Sequence, residues 1–133
     1  MKLHTLIKTL FIILLVISCD KHKTNAELLC NQWELVKWEH YTGDRLVDEQ
    51  SRNFTEYRYD FSPDGYVKIC RSDGSVTEYT YTYDDVSKSI LIPKIDRKYK
   101  IQSISEYRLI LTMESRAIIG SETYTSCYYF KCI

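Results

Sequence analysis

A chain of 133 residues with 18 basic and 18 acidic side chains has the length of one domain and lacks the basic field that captures nucleic acid. With 44% hydrophobic residues, 12 tyrosines, 4 glycines and 2 prolines it is not a disordered or low-complexity chain, and its tyrosines suit strands that bury apolar area. No internal repeat is present.

At the amino terminus, Lys2, His4 and Lys8 precede the unbroken apolar run from Leu10 to Ile17, which ends at Ser18 and Cys19. This is the order of an export signal. A helix from Leu6 to Ile17 would be about 18 Å long at roughly 1.5 Å per residue, too short for a hydrocarbon core of roughly 30 Å. An ordinary secretory site needs no cysteine, whereas Val16-Ile17-Ser18-Cys19 resembles the bacterial lipobox. The resemblance implies that residues 1–18 are a lipoprotein signal peptide and that Cys19 is the lipid attachment site, carrying a diacylglyceryl thioether and acyl chains such as palmitate. Two or three such chains, at about 0.8 kcal/mol per buried CH₂, anchor a protein almost irreversibly. The expected location is the bacterial cell envelope, lipid-anchored, with the outer membrane favoured and the leaflet left open. Lys2 and Lys8 leave with the signal and no acidic residue does, so the remainder carries two more acidic than basic groups.

Residues 19–27 are expected to form the lipidated N-terminus and a flexible tether, since Asp20 to Asn25 is polar and aperiodic; His22 is then a solvated leash residue. Residues 28–133 read as strands. Trp33, Leu35 and Lys37 alternate with Glu34, Val36 and Trp38, giving a first strand with one inward face. Tyr41 to Arg52 is a polar connection, within which Asp44 to Glu49 suits either a short helix or lid or, more often for such charges, a solvated loop. From Thr55, Tyr57, Tyr59 and Phe61 oppose Glu56, Arg58 and Asp60. Ser62-Pro63-Asp64-Gly65 closes a hairpin into Tyr66–Arg71, whose Val67 and Ile69 face the core. Asp73-Gly74 turns the chain into Val76–Tyr83, with Tyr79, Tyr81 and Tyr83 on one face. Ile90-Leu91-Ile92, a break at Pro93, Tyr99–Ile104, Tyr107–Met113 and Tyr124–Cys132 complete about eight strands. No crossover helix intervenes, which favours an all-β, antiparallel meander: a single, approximately eight-stranded barrel or strongly curled sheet.

The spacing of Trp33-Glu34-Leu35, Phe61-Ser62-Pro63-Asp64-Gly65, Tyr79-Thr80-Tyr81, Leu109-Ile110-Leu111 and Tyr128-Tyr129-Phe130 resembles the small bacterial lipocalin-like lipoproteins over roughly Leu28 to Ile133. Asn31-Gln32 stands where that family commonly has Gly-x before the tryptophan. The resemblance implies a lipocalin-like, calycin-type barrel that holds an apolar ligand, without naming one.

Catalytic and cofactor motifs are missing: no His-Glu-x-x-His, Gly-x-Ser-x-Gly or phosphate-binding glycine loop occurs, and His40 is the one histidine after the tether. The expectation is a non-enzymatic protein with no cofactor and no metal. Asp48-Glu49 and Asp84-Asp85 are expected to serve local backbone rather than acid–base chemistry or calcium. Cys30, Cys70, Cys127 and Cys132 lack zinc spacing. They allow three full disulfide pairings in an exported chain. Barrel closure favours Cys30 with Cys132, and strict side-chain parity opposes it. Asn53-Phe54-Thr55 matches a glycosylation sequon that a bacterial chain would not use. Two functions follow from the tyrosine stripe. Tyr57, Tyr59, Tyr79, Tyr81, Tyr99, Tyr128 and Phe130 line a pocket for a small apolar or amphipathic ligand; or they fill a core, and the outward loops with Trp38 recognise an envelope protein, as an inhibitor, immunity or accessory module would.

Overall fold

The computed structural model describes residues 22–116 and 122–133. A five-residue helix, α1 (Asn25–Leu29), comes first, begun by Thr24, whose hydroxyl accepts the Glu27 N–H at 3.2 Å. Its first three residues, Asn25 to Glu27, fall in the segment expected to be tether, so regular structure starts a few residues before the expected domain boundary. Ten strands follow: β1 (Gln32–Thr42), β2 (Arg45–Gln50), β3 (Glu56–Phe61), β4 (Tyr66–Arg71), β5 (Val76–Thr80), β6 (Thr82–Asp84), β7 (Ser89–Ile92), β8 (Arg97–Ile104), β9 (Arg108–Arg116) and β10 (Thr123–Cys132). A 3-10 turn at Pro93–Ile95 makes the expected break before β8.

All pairings are antiparallel, in the order β5-β4-β3-β1-β10-β9-β8-β7-β6. The two ends of that order, β5 and β6, are consecutive in the chain and separated only by Tyr81, whose N–H donates to Gly65 O at 2.9 Å. The sheet therefore curls into a nearly closed barrel, as expected, with β5 and β6 acting as one bent strand that changes partners. β2 lies outside this ring as the return arm of a hairpin with β1. The segment from Arg45 to Gln50 is thus neither helix nor loop but an exposed strand, drawn into extended form by pairing with Trp38 to Thr42.

Side-chain parity is reset by bulges. In β1 the register slips between Leu35 and Lys37, so Val36 is extra; Trp33 and Leu35 are buried, but beyond the slip Trp38 pairs with Tyr128 and takes the inner face. Lys37, which unbroken alternation would put on the face of Trp33, lies against the Tyr129 ring, its ammonium 5.3 Å from the centroid. In β3 the slip falls between Glu56 and Arg58. Tyr57 is consequently exposed, contrary to the alternation, while Glu56 turns toward Tyr59.

The interior below is packed by Leu29, Trp33, Tyr59, Phe61, Val67, Ile69, Ile90, Ile92, Tyr99, Ile101, Leu109, Leu111 and Phe130, all buried. Trp33 ties the helix to the barrel, since its Nε1–H donates to Leu29 O at 3.0 Å and both residues are fully buried. The pairing of Cys30 with Cys132 is not made: Cys30, Cys70, Cys127 and Cys132 are free thiols, with Cys30 Sγ against the Tyr81 hydroxyl at 3.9 Å and Cys132 Sγ against the Ile133 carbonyl at 3.7 Å. At the hairpins Gly65 and Gly74 adopt φ of +85° and +87°, the left-handed geometry their turns require.

Truncating Trp33 to Ala should cost about 3–5 kcal/mol in urea unfolding, as for other buried aromatics. Tyr57→Ala should stay within about 0.5 kcal/mol of the wild type. Equal losses from the two variants would contradict the bulge that puts Tyr57 outside.

Candidate functional site

At the end of the barrel opposite α1 the packed interior gives way to a cup of about 390 Å³ lined by Leu35, Trp38, Gln50, Phe54, Thr55, Glu56, Tyr59, Arg97 and Tyr128. That volume falls at the lower end of the roughly 300–1,000 Å³ of small-molecule pockets. Its apolar wall is built by β1 and β10: Trp38 stands beside Tyr128, and a stack continues along the strand from Trp38 to His40 (centroids 5.7 Å) and from His40 to Tyr124 (5.8 Å). Phe54, in the connection before β3, and Leu35 complete it.

The opposite wall is polar. Glu56 enters at the start of β3 because of the bulge, and Arg97 at the start of β8; Arg97 Nη1 and Nη2 donate to the two Glu56 oxygens at 2.6 and 3.2 Å. Such a two-point pair fixes both planes. The Tyr59 hydroxyl donates to Glu56 Oε1 at 2.8 Å and lies 3.4 Å from the Tyr99 hydroxyl; Arg97 Nη1 also reaches both phenols, at 3.3 and 3.4 Å. Behind Glu56, Arg71 at the end of β4 approaches Oε2 at 3.6 Å and donates to Thr77 Oγ1 at 2.8 Å and the Tyr79 hydroxyl at 3.3 Å. Burial alone would raise the Glu56 carboxyl, but the hydrogen bonds from Arg97 and Tyr59 and the charges of Arg97 and Arg71 outweigh it and hold the group below its ordinary value. Burial drives the Tyr59 phenol well above its usual value, aided by Tyr99 and Glu56, so it stays a neutral donor.

The seven aromatic residues expected to line one pocket are divided among four places. Tyr59 and Tyr128 line the cup. Tyr99 reaches it through its hydroxyl and Tyr79 through Arg71, while Phe130 is core. Tyr81 lies at the opposite end, packing edge-on against Phe61 and donating to Ser62 O at 2.8 Å, in a recess it shares with Leu29 and Cys30. Tyr57 is on the outer surface. The cup gains Trp38 and Glu56, which strict alternation had placed on the outer face, and Arg97, to which the sequence reading assigned no role.

His40 Nδ1 lies 3.2 Å from Ser126 Oγ, but among the described residues no carboxylate bonds the other ring nitrogen, so a serine–histidine relay is not assembled. The paired carboxylates serve local backbone: Asp48 Oδ1 accepts the Glu49 N–H at 2.8 Å, and Asp84 accepts from Val86 N–H and the Ser87 hydroxyl at 3.1 and 2.9 Å. Among the described residues no group of three His, Cys, Asp or Glu side chains is placed to hold a metal. Cys19 lies outside the described residues.

Among solved structures, the chain is similar to bovine odorant binding protein complexed with its natural ligand, with a TM-score of 0.50 and 16% identity over 86% of this chain and 77% of that one. It is also similar to the bovine lipocalin allergen Bos d 2, with a TM-score of 0.48 and 10% identity over 79% and 74% of the two chains. At 16% identity the likeness to the odorant binding protein shows the fold alone, a lipocalin-like barrel. No family model matches the sequence, and no curated protein matches it significantly.

Because the folded-state Glu56 carboxyl is depressed, its contribution to stability is present above the unfolded carboxyl value of about 4.3 and is lost as pH falls through the folded value. The stability difference between wild type and Glu56→Gln should therefore shrink as urea midpoints are followed downward from about pH 5. A difference that stays constant to pH 2 would show that the carboxylate charge is not what Arg97 and Arg71 stabilise.

Proposed function

We propose that this is a non-catalytic lipoprotein of the bacterial cell envelope whose barrel holds a small amphipathic ligand in the cup. The observation that carries the reading is the cup itself, with Trp38, Tyr128, Leu35 and Phe54 on one side and the Glu56–Arg97 pair on the other. An apolar body has aromatic surface to lie on, and a polar group has fixed partners. The packed core beneath limits the ligand to the cup rather than the full depth of the barrel. Anchoring through Cys19 rests on the lipobox-like Val16-Ile17-Ser18-Cys19 after its apolar run. From Cys19 to Thr24 the chain reaches at most about 18 Å, which keeps the α1 end of the barrel near the lipid surface and opens the cup away from it.

The two tryptophans make the test direct, because Trp33 is fully buried in the core and Trp38 is half-exposed in the cup. Titration with an envelope lipid extract should change the Trp38 emission, and the change should vanish in Trp38→Phe while the fold persists by circular dichroism. An unchanged emission and no species retained in native mass spectrometry would sink the ligand reading. The second reading, a protein-recognition module on a filled scaffold, would then take its place. It is supported by the packed lower barrel and by β2, whose Leu46 and Val47 are both exposed. For the anchor, Cys19→Ser should release the protein from membranes and remove the acyl mass; unchanged membrane retention would refute it.

A further inference from the structure

We infer that the ligand of the cup is an amphipathic monoanion, an apolar chain or ring bearing one carboxylate, whose head is drawn to Arg97 and Arg71. The inference rests on the reading of the cup as a ligand site and adds the charge of the ligand. Its basis is an imbalance: two guanidinium groups converge on one carboxylate, Arg97 at 2.6 Å and Arg71 at 3.6 Å from Glu56. The other polar side chains around them are neutral, namely Tyr59, Tyr79, Tyr99 and Thr77. Asp73, the carboxylate in the turn after Arg71, accepts the Ser75 N–H at 2.8 Å and makes no ion pair with Arg71, so its charge reaches that guanidinium only from a distance. Within ion-pair distance the cluster thus holds two positive charges against one negative, partly shielded from water, with the three charged side chains between 20% and 30% exposed.

Donors remain for an incoming anion. A guanidinium has five N–H groups, and the Nε of each arginine makes no hydrogen bond to a described residue. No buried side-chain nitrogen or oxygen among the described residues lacks a partner, so these N–H groups are not sealed from solvent; Arg97 lines the cup itself, and Arg71 adds its charge from behind Glu56. A carboxylate at this position restores charge balance and accepts from a planar fork that suits it. A neutral head gains less, and a cationic head is repelled by Arg71 and Arg97 beyond what Glu56 offsets. The apolar remainder then lies on Trp38, Tyr128, Leu35 and Phe54.

The experiment titrates wild type with decanoate, decan-1-ol and decylamine at neutral pH, following Trp38 fluorescence and confirming the bound mass by native mass spectrometry. Decanoate should bind about tenfold or more tightly than decan-1-ol, the scale of one charge-assisted hydrogen bond, and decylamine most weakly. Arg71→Gln should erase the preference and Arg71→Lys should keep most of it. Glu56→Gln, which removes the one carboxylate paired with both guanidinium groups, should tighten decanoate relative to decan-1-ol. Opposite effects of Arg71→Gln and Glu56→Gln on the same ligand are not what a merely structural network gives. Should Glu56→Gln fail to fold, Arg71→Gln against Arg71→Lys decides. Equal affinity for decanoate and decan-1-ol, or equal weakening by both variants, overturns the anion while leaving the cup as a ligand site. Binding of none of the three to folded wild type overturns the cup reading as well.

Discussion

The pairing of the first strand with the last, running from Trp33 opposite Cys132 to Thr42 opposite Tyr124, closes the barrel and forces every inward position on β1 to agree with one on β10. A sheet curled in this way leaves little exposed edge within the ring. It also leaves no freedom to slide, because a slip by one residue exchanges the inner and outer faces of both strands. The single extra residue at Val36 is therefore consequential. Before it, Leu35 faces Phe130 in the core; after it, Trp38 faces Tyr128 and His40 faces Ser126 on the inner side. Without the bulge, Lys37 and Glu39 would point into the barrel and Trp38 would point out.

The same device builds the polar wall. In β3 the extra residue is Tyr57, and its displacement outward lets Glu56 turn in toward Tyr59 and Arg97. A carboxylate moved into a partly desolvated cup would ordinarily be costly. Here the cost is offset by two arginines and a phenol aimed at its oxygens, and the phenols of Tyr59 and Tyr99 link the cluster to the core below. The polar network thus rests on rigid strands. Its members come from β3, β4, β5 and β8, so it also spans the barrel from one wall to another.

Fold class was legible because its signal is local and repeated: alternation at Val67 and Ile69, turn chemistry at Pro63 to Gly65 and at Asp73-Gly74, and the break at Pro93 all reappear in the structure. The cup was not, for a definite physical reason. Period-two reasoning assigns a face to each residue only while the register is unbroken, and bulges at Val36 and Tyr57 carry no glycine or proline to announce them. Each bulge inverted the residues beyond it, so Trp38 and Glu56 were placed outside and Tyr57 inside. Tyr81 failed differently. It does face inward, but at the α1 end, and distance along the barrel axis is invisible to a reading of faces. The strand at Arg45 to Gln50 was hidden as well, since a hairpin arm exposed on both faces has no hydrophobic pattern.

Placing the packed half and the open half of one barrel on different residues separates what each must satisfy. Trp33 and Leu29 seal the α1 end through a hydrogen bond and complete burial, so that end can supply stability without being accessible. The other end carries half-exposed aromatic rings and an ion-paired cluster, surfaces that give little to folding and are suited to recognition. Tyr59 and Tyr99 belong to both halves, with rings in the core and hydroxyls on Arg97. Through them the orientation of Arg97 is set by core packing rather than by solvent. A rigid core therefore holds the cup's charges in place, and under the proposed reading this preorganisation would lower the ordering cost of binding.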